Sequence, residues 1–101
     1  MKLPVNLSKV TFEWDPEKNR LNFQKHGVRF QAAVKVFFDP DILVLEDHDH
    51  AGELRYDIIG AAGKILFVVC TVRWGNTIRI ISARAATRTE KEFYYDYQNP
   101  C

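Results

Sequence analysis

The residues best suited to chemistry in this chain are one histidine, one carboxylate and a set of arginines. His26 follows Lys25 and precedes Gly27-Val28-Arg29. An imidazole changes charge in the neutral range and can give or take a proton, and cations on both sides suit proton transfer at a phosphodiester. The alternative is an imidazole that caps helix carbonyls. Glu53 and Arg55 are one residue apart at the start of an expected strand, so they point to one face. They form either a plain ion pair or a base held beside a phosphate anchor. Arg73, Arg79 and Arg84 come from an expected hairpin and its exit, and a planar guanidinium matches two phosphate oxygens. A three-residue loop 74–76 pairs Arg73 with Thr77 and Arg79 with Thr71, which sets both arginines on one face; a two-residue loop breaks that arrangement. Arg84 and Arg88 flank the start of an expected last helix, whose free N–H groups suit an anion. Lys25 adds charge. Tyr94 is a candidate for stacking on a base or closing the site, with packed core as the alternative.

Other residues yield less. Asp47-His48-Asp49-His50 holds metal-ligand types, but no second pair recurs at zinc-like spacing, so a solvated acidic loop is expected and no metal or cofactor. Cys70 lies in an apolar run without an activating neighbour and reads as an inert core thiol. With only Cys101 besides, there is no disulfide framework, which fits a reducing cytoplasm. The start Met1-Lys2-Leu3-Pro4 has no signal-like apolar stretch, and no run approaches a membrane span.

These residues need a scaffold. The chain has 101 residues, 47% hydrophobic and 13% aromatic, enough for one core and too rich for disorder. Fourteen bases against thirteen acids hide a polarised distribution. Residues 39–57 carry seven acids and one base; residues 58–88 carry five bases and no acid. A cationic sheet face suits phosphates, although solubilising charge along a strand ribbon would look the same.

Residues 1–10 read as a lead-in to a single domain over 11–101. Val10–Trp14 alternates as a short strand. Asp15-Pro16 starts a helix, as N-cap and first-turn proline, and Gly27 ends it. Phe30, Ala33, Val34 and Phe37 form the core stripe of a second helix, stopped by Asp39-Pro40. Strands follow at 42–45, 54–59, 65–72 and 77–83, with Trp74-Gly75-Asn76 as a hairpin signal. Thr87-x-x-Glu90 is a capping box that opens a last helix. The order β-α-α-β-β-β-β-α predicts an α+β fold, with two N-terminal helices on one face of a mainly antiparallel twisted sheet.

Several blocks in order resemble the BrnT toxin family. They are Phe12-Glu13-Trp14-Asp15, Lys25-His26-Gly27-Val28 with Phe30, Phe38-Asp39-Pro40, Glu53-x-Arg55 leading to Ile59-Gly60, and Val68-Val69-x-Thr71-x-Arg73. Arg79-Ile80-Ile81-Ser82-Ala83-Arg84-x-Ala86-Thr87-x-x-Glu90 closes the series. The resemblance covers about residues 11–95. It implies a RelE-like fold and a ribonuclease toxin of a type II toxin–antitoxin pair. It also implies a BrnA-like ribbon-helix-helix antitoxin that masks the toxin and binds operator DNA, in an expected 2:2 complex. Two positions depart from the pattern: Arg29 stands where a small capping residue is usual, and Ala85 where a base is common. The expected chemistry is metal-independent cleavage of RNA by the ribose 2′-OH, with His26 or Glu53 as base or acid. The competing reading is a non-catalytic module that binds RNA or the antitoxin.

Overall fold

The computed structural model describes residues 2–48 and 52–98. The Asp49-His50 half of the acidic loop and Cys101 lie outside them. Helix α1 spans Pro16–His26. Asp15 caps it by accepting from the backbone N–H groups of Glu17 (2.8 Å) and Lys18 (3.4 Å). Gly27 ends it at φ 70°, a left-handed conformation that glycine adopts without a Cβ penalty. The second helix is shorter than its apolar stripe predicts. Helix α2 is one turn, Phe30–Ala33, and passes into a 3₁₀ turn at Val34–Phe38. The buried residues become Phe30, Ala33, Val36 and Phe37, with Val34 only half-buried. A spacing of three (30, 33, 36) is the 3₁₀ period. Arg29 makes no side-chain cap for α2; Asn19 of α1 does that instead, its Oδ1 accepting from the N–H of Phe30 at 2.8 Å.

Five strands form one sheet in the order β1-β5-β4-β3-β2: β1 Thr11–Glu13, β2 Leu43–Asp47, β3 Arg55–Ala62, β4 Lys64–Arg73 and β5 Thr77–Ala85. Strands β2 to β5 pair antiparallel, but β1 joins β5 in parallel. The expected mainly antiparallel sheet is therefore corrected to a mixed one. The cause is topological: β1 comes from the far end of the chain and lies against the last strand, running in its direction.

One face of the sheet is apolar. Tyr56 and Ile58, Leu66, Val68 and Cys70, and Ile78, Ile80 and Ala83 pack there against Phe30, Ala33, Val36 and Phe37. Cys70 is fully buried, and burial pushes its thiol up to about 12, so it stays a neutral core group. Gly60 admits the 3₁₀ turn: a Cβ there would lie 3.1 Å from Val36 Cβ and 3.2 Å from Val36 O.

Two side chains satisfy backbone groups where neighbouring strands stop. Beyond Arg79, β5 has no β1 partner. The Asn22 amide of α1 fills that place, donating to Ala83 O (2.7 Å) and accepting from Ala83 N (3.1 Å). Beyond Leu43, β3 has no β2 partner. There Asp39 Oδ2 accepts from Ala61 N at 2.8 Å and from the Tyr94 hydroxyl at 2.5 Å. Tyr94 belongs to helix α3, Arg88–Gln98, which opens with the predicted capping box: Glu90 N donates to Thr87 Oγ1 (3.2 Å) and Thr87 N to Glu90 Oε1 (2.9 Å).

Candidate active site

The face opposite the apolar core carries the arginines. The β4–β5 register pairs Arg73 with Thr77 and Thr71 with Arg79, as the three-residue loop predicts. In the same row β1 adds Glu13 beside Arg79, while β2 sets Asp47 against Arg55. Arg84 pairs with Phe67, and Asp57 with Val69.

Arg84 reaches this face through a bulge. Residues 79 and 84 are five apart, so a regular strand would point them to opposite faces. The ladder pairs Cys70 with Ile80 but Val69 with Ser82. Ile81 is thus an extra residue in β5, and the phase of every later side chain is reversed. Arg55 from β3, Arg73 from β4, and Arg79 and Arg84 from β5 consequently share one surface.

Each arginine has a distinct setting. Arg55 Nε donates to Glu53 Oε1 at 2.8 Å. Arg79 Nη1 lies 3.4 Å from Glu13 Oε2, a partner supplied by β1. Arg84 makes a two-pronged pair with Glu90, at 2.7 and 2.9 Å, and its Cζ stands 4.3 Å from the centre of the Phe67 ring. The Arg84 hydrogen bond is the largest influence on Glu90 and, against burial, holds its carboxyl below the usual range. The same pairing raises the Arg84 guanidinium, which Asp57 also favours electrostatically. Arg73 is the arginine of this face without a carboxylate among the described residues; its guanidinium stands by the Trp74 indole instead, 5.9 Å from the ring centre.

Three further expected groups take the following places. At the N-terminus of α3 the Glu90 carboxylate binds both Thr87 N and Arg84, a negative charge that an anion there would have to meet. Arg88 is a solvent-facing neighbour of Glu92 at 3.3 Å, with 93% of its side chain exposed. Tyr94 offers no surface to a base. It is buried among Leu43, Ile59, Ile65 and Ala86, where burial and the bond to Asp39 push its phenol up to about 12.

Lys25 and His26 end α1, one turn beyond Asn22. The Asn22 amide ties this helix to Ala83 of β5. No hydrogen bond joins either residue to an arginine of the face among the described residues. Arg29 lies with its guanidinium 4.0 Å from the Phe23 ring centre, on α1. Residue reasoning did not single out Glu13, Asp57 or Glu90 for the site. The alternation Arg55-x-Asp57 was the available signal for Asp57, whereas Glu13 requires knowing that β1 pairs with β5.

A family model described as "Ribonuclease toxin, BrnT, of type II toxin-antitoxin system" matches residues 14–90. The chain belongs to the BrnT family. Its BrnT fold is also similar to the crystal structure of the Brucella abortus ribonuclease toxin BrnT, with TM-score 0.61 and 23% identity over 79% of this chain and 100% of that one. No curated protein matches the chain. The BrnT match runs from Trp14, just after Glu13 on β1, to Glu90 on α3, so it takes in His26, Glu53 and all four arginines of the face. Among the described residues no helix is long and apolar enough to cross a membrane.

Proposed function

We propose that this chain is an endoribonuclease that cleaves RNA by its own side chains, without a metal. The observation that carries this reading is the gathering of Arg55, Arg73, Arg79 and Arg84, from three adjacent strands, on one sheet face. In the reaction the ribose 2′-oxygen attacks the adjacent phosphorus as a base takes its proton. The bond from phosphorus to the 5′-oxygen breaks, and an acid protonates that oxygen. The products are a 2′,3′-cyclic phosphate and a 5′-hydroxyl. The guanidinium groups stabilise the extra negative charge of the pentacoordinate phosphorus. His26 and Glu53 are the base and acid candidates, Lys25 adds positive charge, and binding of phosphate requires Arg84 to share or exchange its Glu90 partner. We read the fold as RelE-like. The cellular inhibitor is a BrnA-like ribbon-helix-helix antitoxin whose acidic groups cover the arginine face, two toxins to one antitoxin dimer on operator DNA.

A second reading, a module that binds RNA or the antitoxin without cutting, is favoured by the carboxylates already seated on Arg55, Arg79 and Arg84. Labelled RNA incubated with the purified protein in EDTA separates the two. Cleavage with cyclic-phosphate ends is expected, and His26→Ala should slow it by roughly 10²–10⁴-fold if His26 transfers a proton. RNA that is bound but stays intact would overturn the nuclease and leave the module.

A further inference from the structure

The β4–β5 turn contains a residue that the fold does not use. Trp74 is 82% exposed and has φ 46°. Left-handed backbone is rare and costly for a bulky side chain, and a turn at this φ is better served by Gly, Asn or Asp. The surrounding turn is nonetheless tightly fixed. Asn76 N donates to Trp74 O (2.9 Å), Asn76 O accepts from Thr11 N (3.0 Å), and Asn76 Oδ1 accepts from Asn6 N (2.9 Å). The scaffold holds the strained residue in place but leaves its indole in water, so no packing offsets the strain. Strain that the surroundings over-determine marks positions whose role lies in a contact the isolated chain does not make.

The neighbour identifies the contact. Arg73, beside the indole, is the arginine of the face that no described carboxylate occupies. An aromatic face and a free guanidinium suit an unpaired nucleotide, which stacks its base and presents its phosphate. We propose that Trp74 and Arg73 form a nucleobase subsite at the hairpin end of the arginine face, which holds one unpaired nucleotide of the RNA flanking the bond to be cut. The proposal rests on the ribonuclease reading and adds to it a residue that sets where on a single strand the enzyme grips.

The test uses a 2′-O-methyl oligoribonucleotide, which binds but has no 2′-hydroxyl to attack, together with the same sequence as cleavable RNA. Binding should quench the Trp74 fluorescence of the wild type, a signal absent in Trp74→Phe. Trp74→Ala should weaken binding about 10-fold, the scale of one lost base–aromatic stack, and raise KM with kcat little changed; Trp74→Phe should restore most of the affinity. Melting temperatures of both variants should stay close to that of the wild type, because the indole is 82% exposed and has only the Arg73 guanidinium beside it among the described residues. The subsite is overturned if the wild type cleaves RNA and Trp74→Ala binds and cleaves equally well. It is also overturned if Trp74→Ala keeps RNA affinity and loses only antitoxin binding, which would make the indole a protein contact. Quenching that depends on Trp74, in a protein that cuts no RNA, would sink the nuclease reading while the subsite stands.

Discussion

The two faces of the sheet are built from the same strands, and alternate residues of those strands have opposite duties. On the helix side, Ile58, Val68 and Ile78 disappear into packing with Phe30 and Phe37. On the other, Arg55, Arg79 and Arg84 stand partly exposed, each held by a carboxylate. The first face is stable because apolar area leaves water, about 1.5–3 kcal/mol for each large side chain. The second gains less from its ion pairs, since exposed pairs are worth roughly 0–1 kcal/mol and partly buried ones must also repay lost hydration. Cationic groups gathered at such small energetic return are available for binding. Fold and activity should therefore respond to separate sets of substitutions, although the two sets interleave along every strand.

The largest effect expected is on the packed face. Phe37→Ala empties a fully buried site and should cost about 3–5 kcal/mol, read from urea unfolding. A loss below 1 kcal/mol would mean that this face is not the core. Next comes Arg84→Ala, which should keep the melting temperature within a few degrees while RNA cleavage falls roughly 10²–10³-fold. Unfolding by that variant would erase the contrast between the faces, and unchanged cleavage would remove Arg84 from the site. The smallest effect is acid sensitivity. Glu90 is held below its usual value of 4.5 chiefly by its bond to Arg84, with burial opposing. The folded value is below the unfolded one. Its contribution is therefore present above the unfolded value and is lost as pH falls through the folded value. Asp39 acts in the same sense: burial opposes ionisation, but the bonds from Tyr94 and two backbone N–H groups outweigh it. Glu90→Gln keeps the helix cap, because Gln also serves the capping box, and removes the titration. Its melting temperature should therefore fall less steeply than that of the wild type below about pH 4.5. Equal slopes would mean that the Arg84–Glu90 pair does not form in solution.

Much of this arrangement was legible in the residues. The Asp15-Pro16 start, the Gly27 stop and the Thr87-Glu90 box depend on neighbours in sequence, where local rules decide; the Arg73–Thr77 register was one of two that the hairpin allowed. What escaped depends on partners far along the chain. The parallel addition of β1 to β5 is fixed across more than sixty residues. The bulge at Ile81 has no marker in its own sequence, yet it determines that Arg84 joins Arg79. The period-three burial of Phe30, Ala33 and Val36 was hidden because a 3₁₀ turn and an α-helix share their first two contacts. Tyr94 was ambiguous for a similar reason, since Leu43, Ile59 and Ile65, which help bury it, and Asp39, which accepts its hydroxyl, lie far back along the chain.

The Asn22 amide on Ala83 also bears on how the molecule behaves in a crowded solution. A sheet with a bare flank invites a strand from another polypeptide, the route by which folded chains cross-link and precipitate. β1 spans only three residues, and past it the N–H and C=O of Ala83 would form a short template for such recruitment. A side-chain amide, carried by a helix that cannot itself extend the sheet, occupies both groups. One buried asparagine thus blocks pairing at Ala83, while the cationic surface of the same sheet remains open to ligands.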